Sequence, residues 1–220
     1  MGWSTKPMQS VSPQYEAEEK ITVNGNVDLY AVVFNRTTET DLTEDQLPQV
    51  DIYKYKQVIF VGDSRTEFME NVLTGMGESA TKNVKFVCSA GKGLDWFTTT
   101  GWAQLYSIVQ HDSNSILSKK TAVIFNFGVN DLSKSADYAE YYNWIAPQLK
   151  SKGCELYFMS VNPVNRLMLP NAGRADRSEA AVRSFNQYMK ANLSSAYTYI
   201  DMYSYLKSTG YSFASDHYGT

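Results

Sequence analysis

The residues of this 220-residue chain that could do chemistry stand at the ends of apolar runs. Val58-Ile59-Phe60-Val61 stops at Gly62-Asp63-Ser64-Arg65, and the run 84–89 leads into Ser89-Ala90-Gly91-Lys92-Gly93. The run 122–128 ends on Gly128-Val129-Asn130-Asp131, and after 196–200 the end of the chain carries Ser215-Asp216-His217-Tyr218. A serine hydroxyl is a poor nucleophile until a base takes its proton, and histidine is the side chain suited to that near neutral pH. Attack on an ester carbonyl creates an oxyanion. Fixed donors aimed at that charge lower the barrier, each by roughly 2.7–4 kcal/mol in a known case. A glycine lets its backbone N–H approach closely, an asparagine amide is a second donor, and the N–H of Ser64 at a helix N-terminus would be a third.

Each piece alone has a plainer meaning. Gly-Asp-Ser after a strand is commonly a turn with a helix cap, Gly-x-Asn-Asp is a common turn, and a histidine near a terminus is usually a surface residue. Their shared position at strand ends is what points to hydrolysis. The G-x-S-x-G elbow of other hydrolases does not fit, because position 66 is threonine. Asp63 is expected to fix the local turn.

Positioning these residues requires a sheet. Strands are predicted at 57–62, 84–89, 122–128, 155–161 and 196–200. Helical spacing recurs between them, in Phe68, Met69, Val72, Leu73 and Met76, and in Val182, Phe185, Met189 and Leu193. Asp137 and Glu140 form a capping signal for a helix through about Lys150, with Pro147 as a kink. Strands alternating with helices predict a parallel sheet covered on both faces, with ligands beyond the carboxyl ends of the strands. Residues 1–34 read differently: Asn24-Gly25 lies between strand-like runs in 21–34 and predicts a hairpin. The polar, acidic stretch 35–56 reads as a linker, and 57–220 as the main domain.

Composition narrows the function classes. Hydrophobic residues make up 43% and charged residues 20%, with net charge −3 and no basic run, which argues against a nucleic-acid partner. No apolar run approaches the roughly 20 residues of a membrane span. Two cysteines and two histidines leave almost nothing for a Cys/His zinc site, and neither a metal nor an organic cofactor is implied. The start, MGWSTKPMQS, lacks a secretory h-region, so the chain is either cytosolic or an excerpt of a longer exported protein.

With these residues in view, 57–220 resembles the SGNH (GDSL-type) hydrolase family. Gly62-Asp63-Ser64 matches its first block, Gly128-Val129-Asn130-Asp131 its third and His217 its last. VNPVNR (161–166), YIDMYSYL (199–206) and the closing His-Tyr resemble secreted members from Gram-positive gut bacteria. The resemblance implies a flavodoxin-like three-layer α/β/α fold with a five-stranded parallel sheet. It also implies Ser64 as nucleophile, His217 as base, and an oxyanion hole from the Ser64 N–H, a glycine N–H and the Asn130 side chain. Strand spacing favours Gly93 as that glycine, with Gly91 the alternative. The family usually places Asp three residues before the His. Here that position is Ala214 and the nearest acid is Asp216, directly adjacent. Neighbouring side chains on an extended segment point apart, so either Asp216 on a turned loop or a backbone carbonyl would hold the imidazole. The family continues into a final helix, so truncation is expected after residue 220. Residues 2–34 resemble the back half of a Listeria–Bacteroides (InlB B-type) repeat, through the Gly-Trp start and the Leu-Tyr-Ala-Val ending. Such modules belong to surface proteins, which implies an extracellular or cell-surface excerpt.

The leading expectation is a monomeric esterase acting on O-acyl groups, chiefly O-acetyl, of carbohydrate or cell-wall polymer. Rivals are a lipase or thioesterase of the same fold, and a non-catalytic carbohydrate-binding or adhesion module. Trp96, Phe97 and Trp102 either wall the acyl site or pack the core. Arg166, Arg174 and Arg177 either meet an anionic ligand or lie in a solvated loop. In the implied strand order Cys88 and Cys154 are three strand positions apart, about 14 Å, too far for a disulfide.

Overall fold

A parallel sheet with crossover helices on both faces buries every residue of its central strands, so those strands read as unbroken apolar runs. The computed structural model describes residues 2–4, 15–16, 20–32, 55–77, 82–112, 120–164 and 177–208. They fall into two compact units, one within Met1–Pro48 with Tyr205–Ser212, the other within Gln49–Ser204 with Phe213–Thr220.

In the first unit β1 (Gly2–Ser4) pairs antiparallel with β2 (Tyr15–Glu16) and with β3 (Tyr30–Val32). The hairpin expected around Asn24-Gly25 does not form. The chain bends there with Gly25 at φ 131°, but residues 20–29 are not strand, and β3 finds its partner in β1. A local turn signal sets a bend; pairing needs extended backbone on both sides of it.

The second unit holds β4 (Tyr55–Gly62), α1 (Ser64–Gly75), β5 (Val84–Cys88), α2 (Trp102–Asp112), β6 (Lys120–Asn126), α3 (Ser135–Ser151), β7 (Cys154–Met159), α4 (Glu179–Asn192), β8 (Tyr197–Ile200) and the first three residues of α5 (Met202–Ser208). The strands form one parallel sheet in the order β5-β4-β6-β7-β8, the flavodoxin-like arrangement. Parallel crossovers are right-handed. The step from β4 to β5 runs opposite to the later steps, so α1 lies on one face and α2, α3 and α4 on the other.

Side chains divide accordingly, with period two. Ile59, Val61, Val123, Phe125, Leu156 and Phe158 join Leu105, Val109, Tyr142, Ile145, Val182 and Phe185 in the larger core. Val58, Ala122, Ile124 and Tyr157 form a second cluster on the opposite face. Cys88 and Cys154 are not disulfide-bonded; they stand on β5 and β7, with β4 and β6 between them.

Two helix expectations change in detail. The spacing in α1 is helical, but Phe68, Val72 and Met76 face outward, and Thr66 is its buried residue. Helix α3 begins at Ser135, ahead of the expected Asp137 cap; Asp137 lies in its first turn and Pro147 sits inside it without ending it. Helix α2 was not among the expected helices, nor was the stretch that leads into it, a turn at Leu94–Trp96 followed by a π-helical segment, Phe97–Gly101. Buried residues Phe97, Gly101, Leu105 and Val109 recur every fourth position through this stretch and α2.

Candidate active site

Parallel pairing in register brings three strands to a level finish. Gly62 pairs with Cys88 of β5 and with Asn126 of β6, so the loops after β4, β5 and β6 leave the sheet at one edge. Because the strand order changes direction there, the topological switch point of the sheet lies between the ends of β4 and β6.

Ser64 is the first residue of α1, half-buried. Asp63 is the N-cap: its Oδ1 accepts the Arg65 backbone N–H at 3.1 Å, and its carbonyl accepts the N–H groups of Thr66 and Glu67 at 3.0 Å each. The same carboxylate is gripped by the Arg65 guanidinium, Nε to Oδ1 at 3.0 Å and Nη2 to Oδ2 at 2.9 Å. Asp63 is fully buried and the Arg65 side chain only 9% exposed. Arg65 Nη2 also donates to the Asn126 carbonyl at 3.1 Å, tying the start of α1 to the end of β6. Asp63 therefore shapes the turn that presents Ser64, as expected. The N–H of a first helical residue has no acceptor within its helix, so that of Ser64 points out of the N-terminus. Gly62 permits the tight fit: a Cβ there would lie 1.9 Å from Thr66 Oγ1.

The loops after β5 and β6 are joined to each other. Asn130 Nδ2 donates to the Lys92 carbonyl at 2.8 Å, and Asp131 Oδ2 accepts the Leu94 N–H at 2.8 Å. The other oxygen of Asp131 accepts the Tyr138 hydroxyl at 2.7 Å. Burial raises the pKa of Asp131 above its ordinary value, against the opposing pull of its Leu94 and Tyr138 hydrogen bonds. Burial also pushes the Tyr138 phenol far up, so it remains a donor. Gly93 is the point of closest approach: a Cβ on it would lie 2.2 Å from Asp131 Oδ2. Gly91, at φ 69°, has open space around its Cβ position. Of the two glycines, Gly93 is thus the one wedged between the two loops.

Ser64 at the start of α1, Gly93 on the loop after β5 and Asn130 on the loop after β6 therefore lie at one end of the sheet. His217 and Asp216 lie outside the described residues, as do Ala214, Arg166 and Arg174. Arg177 departs from the solvated-loop expectation. It is only 6% exposed, and its Nη2 donates to Asn130 Oδ1 at 2.5 Å. All three aromatic residues of this stretch pack on the core. Phe97 is wholly in the core against Phe125 and Phe127, while Trp96 and Trp102 are half-buried against Phe127 and Tyr106. Sequence reasoning missed Asp131 as part of the site, although it stood in the Gly-x-Asn-Asp motif. It raised Arg177 as a contact to an anionic ligand but not as a partner of Asn130, since no local signal links positions 47 residues apart.

Compared with known proteins, the chain matches no protein-family model and no curated protein. Among solved structures it is similar to a protein named as a candidate acylhydrolase from Bacteroides fragilis, at 18% identity over 73% of each chain with a TM-score of 0.45. It is similar also to TesA, at 16% identity over 61% of this chain and 71% of that one, with a TM-score of 0.37. A third likeness is to a protein named as a candidate platelet activating factor from Streptococcus pneumonia, at 17% identity over 66% and 65% of the two chains, with a TM-score of 0.38. Likenesses this distant say nothing of activity or substrate. The fold stands on its own strand order and crossovers.

Two further features bear on ligands. A shallow depression lined by Glu70, Thr74, Val84, Lys85, Phe86 and Ile108 lies along β5, away from the strand-end loops. Among the described residues no helix is long and apolar enough to cross a membrane.

Proposed function

We propose that residues 57–220 form a serine ester hydrolase that removes O-acyl groups, chiefly O-acetyl, from carbohydrate or cell-wall polymer. In this reading Ser64 Oγ attacks the ester carbonyl carbon as His217 takes its proton. The N–H groups of Ser64 and Gly93 and the Asn130 amide receive the negative charge on the carbonyl oxygen. Collapse of the intermediate expels the sugar alkoxide, which takes the proton from His217 to become the free hydroxyl and leaves an acetyl group on Ser64. Water, deprotonated by the same imidazole, then releases acetate. Esters suit this better than amides, because an alkoxide leaves more readily than an amine. Asp216 or a backbone carbonyl orients the imidazole.

The observation that carries the reading is the anchoring of Asn130. Its amide is held from both ends at the same sheet edge where α1 presents Ser64. Such preorganisation is what charge stabilisation at an oxyanion demands. The proposal places the enzyme outside the cell or on its surface, as a monomer, and takes residues 1–34 as part of a surface repeat.

Turnover of p-nitrophenyl acetate tests it. Wild-type protein is expected to release nitrophenolate and to be labelled by a fluorophosphonate at Ser64. Ser64→Ala is expected to lose both. Equal turnover by wild type and variant refutes hydrolysis at this site, and an unlabelled, inactive wild type favours a binding module instead.

A further inference from the structure

We propose that Arg177 is a positioning residue for the oxyanion hole, acting through the Asn130 carboxamide; this rests on the ester-hydrolase reading above. A carboxamide offers two N–H donors and one carbonyl oxygen, and its two ends are easily exchanged by a flip. Here neither contact tolerates the exchange. The Lys92 carbonyl can only accept, so it selects Nδ2, at 2.8 Å. The Arg177 guanidinium can only donate, so it selects Oδ1, at 2.5 Å. The amide is thereby fixed in one orientation. Nδ2 spends one hydrogen on Lys92, and among the described residues the other has no acceptor.

The guanidinium does more than hold the group still. A cation on Oδ1 draws electron density through the conjugated amide and leaves the N–H hydrogens more positive. The remaining hydrogen becomes a stronger donor to a developing negative charge, and little to an uncharged ester. Burial of Arg177, at 6% exposure, keeps this effect from being screened by water. The contact is also long in sequence, 47 residues. It joins the approach to α4, where Ser178 caps the helix, to the loop after β6. The orientation of the donor therefore depends on how α4 is seated.

The test is a double-mutant cycle read by steady-state kinetics on p-nitrophenyl acetate. Arg177→Met keeps the aliphatic stem and removes the donor. Loss of a whole oxyanion donor costs about 10²–10³ in kcat; loss of one of two anchors is expected to cost about 10–100-fold in kcat with KM nearly unchanged. In an Asn130→Ala background the same substitution is expected to change kcat less than about threefold, because the group it acts through is gone. Arg177→Lys, which restores a cationic donor, is expected to recover most of the loss and serves as the second variant should the Met protein fail to fold. Equal factors in both backgrounds, or no recovery with Lys, overturn the proposal and leave Arg177 as packing only. Absence of Ser64-dependent turnover in the wild type is a different failure: it refutes the ester reading and removes the positioning role with it.

Discussion

Adding one methyl group to Gly93 probes the geometry most directly. The new Cβ would sit 2.2 Å from Asp131 Oδ2, 2.6 Å from Cγ and 2.8 Å from Oδ1. All three distances are below any tolerable contact, so the carboxylate must move. Its two oxygens hold the Leu94 N–H at 2.8 Å and the Tyr138 hydroxyl at 2.7 Å. Hydrogen bonds to charged groups are worth about 1.5–3 kcal/mol each. Losing one puts the destabilisation of Gly93→Ala at about 2 kcal/mol, and losing both at about twice that. The shift also displaces the Gly93 N–H and the Lys92 carbonyl that anchors Asn130, so turnover is expected to fall by at least about tenfold even where the protein is folded. Gly91→Ala is the matched control. Its Cβ meets nothing within 4 Å, but φ is 69°, so the penalty is the left-handed backbone strain of about 1–2 kcal/mol, with turnover preserved. Urea denaturation gives the stabilities and p-nitrophenyl acetate the rates. If Gly93→Ala matches the wild type in both, or if Gly91→Ala is the variant that loses turnover, the assignment of Gly93 to the oxyanion hole is wrong.

Three other outcomes follow from the same contacts. Arg65→Ala strands the fully buried Asp63 carboxylate without its guanidinium, and a loss of about 3–5 kcal/mol is expected in denaturant titration; a change under about 1 kcal/mol would show the pair is not holding the turn. Burial, reinforced by the Glu70 carboxylate that accepts its proton at 3.2 Å, pushes the Cys88 thiol up to about 12. At about pH 8 the native chain should therefore alkylate at Cys88 about a thousandfold more slowly than the unfolded chain, and mass spectrometry of an iodoacetamide time course would expose any faster reaction. Because the raised pKa of Asp131 makes the native state bind its proton more tightly than the unfolded chain, its contribution is complete below the ordinary carboxylate value and is lost as pH rises through the raised one. Relative to Asp131→Asn, the urea midpoint of the wild type should fall as pH rises from below the ordinary carboxylate value to well above it; a rise over that range contradicts the desolvation argument.

The sheet was legible from the chain because burial on both faces demands continuous apolar runs. The predicted 57–62, 84–89, 122–128, 155–161 and 196–200 correspond to Tyr55–Gly62, Val84–Cys88, Lys120–Asn126, Cys154–Met159 and Tyr197–Ile200. The α4 pattern was legible too: Val182, Phe185 and Met189 are all buried, behind a Ser178 cap that accepts the Ala181 N–H. In α1 the period was right and the face was not, because spacing reports that a helix has sides and cannot say which side meets the sheet. Phe68, Val72 and Met76 show the difference.

What the chain determined alone was the set of local choices: where backbone must be extended, where it must turn, and which residue types stand at those turns. Ser64, Gly93 and Asn130 are readable in that way. Only the tertiary structure decided that Gly62 lies level with both Cys88 and Asn126, that Gly93 presses on Asp131, and that Arg177 reaches Asn130. Those facts depend on strand register and crossover direction, which bring together positions tens of residues apart. Local sequence encodes the period of burial; the partner across a gap is chosen by how the whole sheet is ordered.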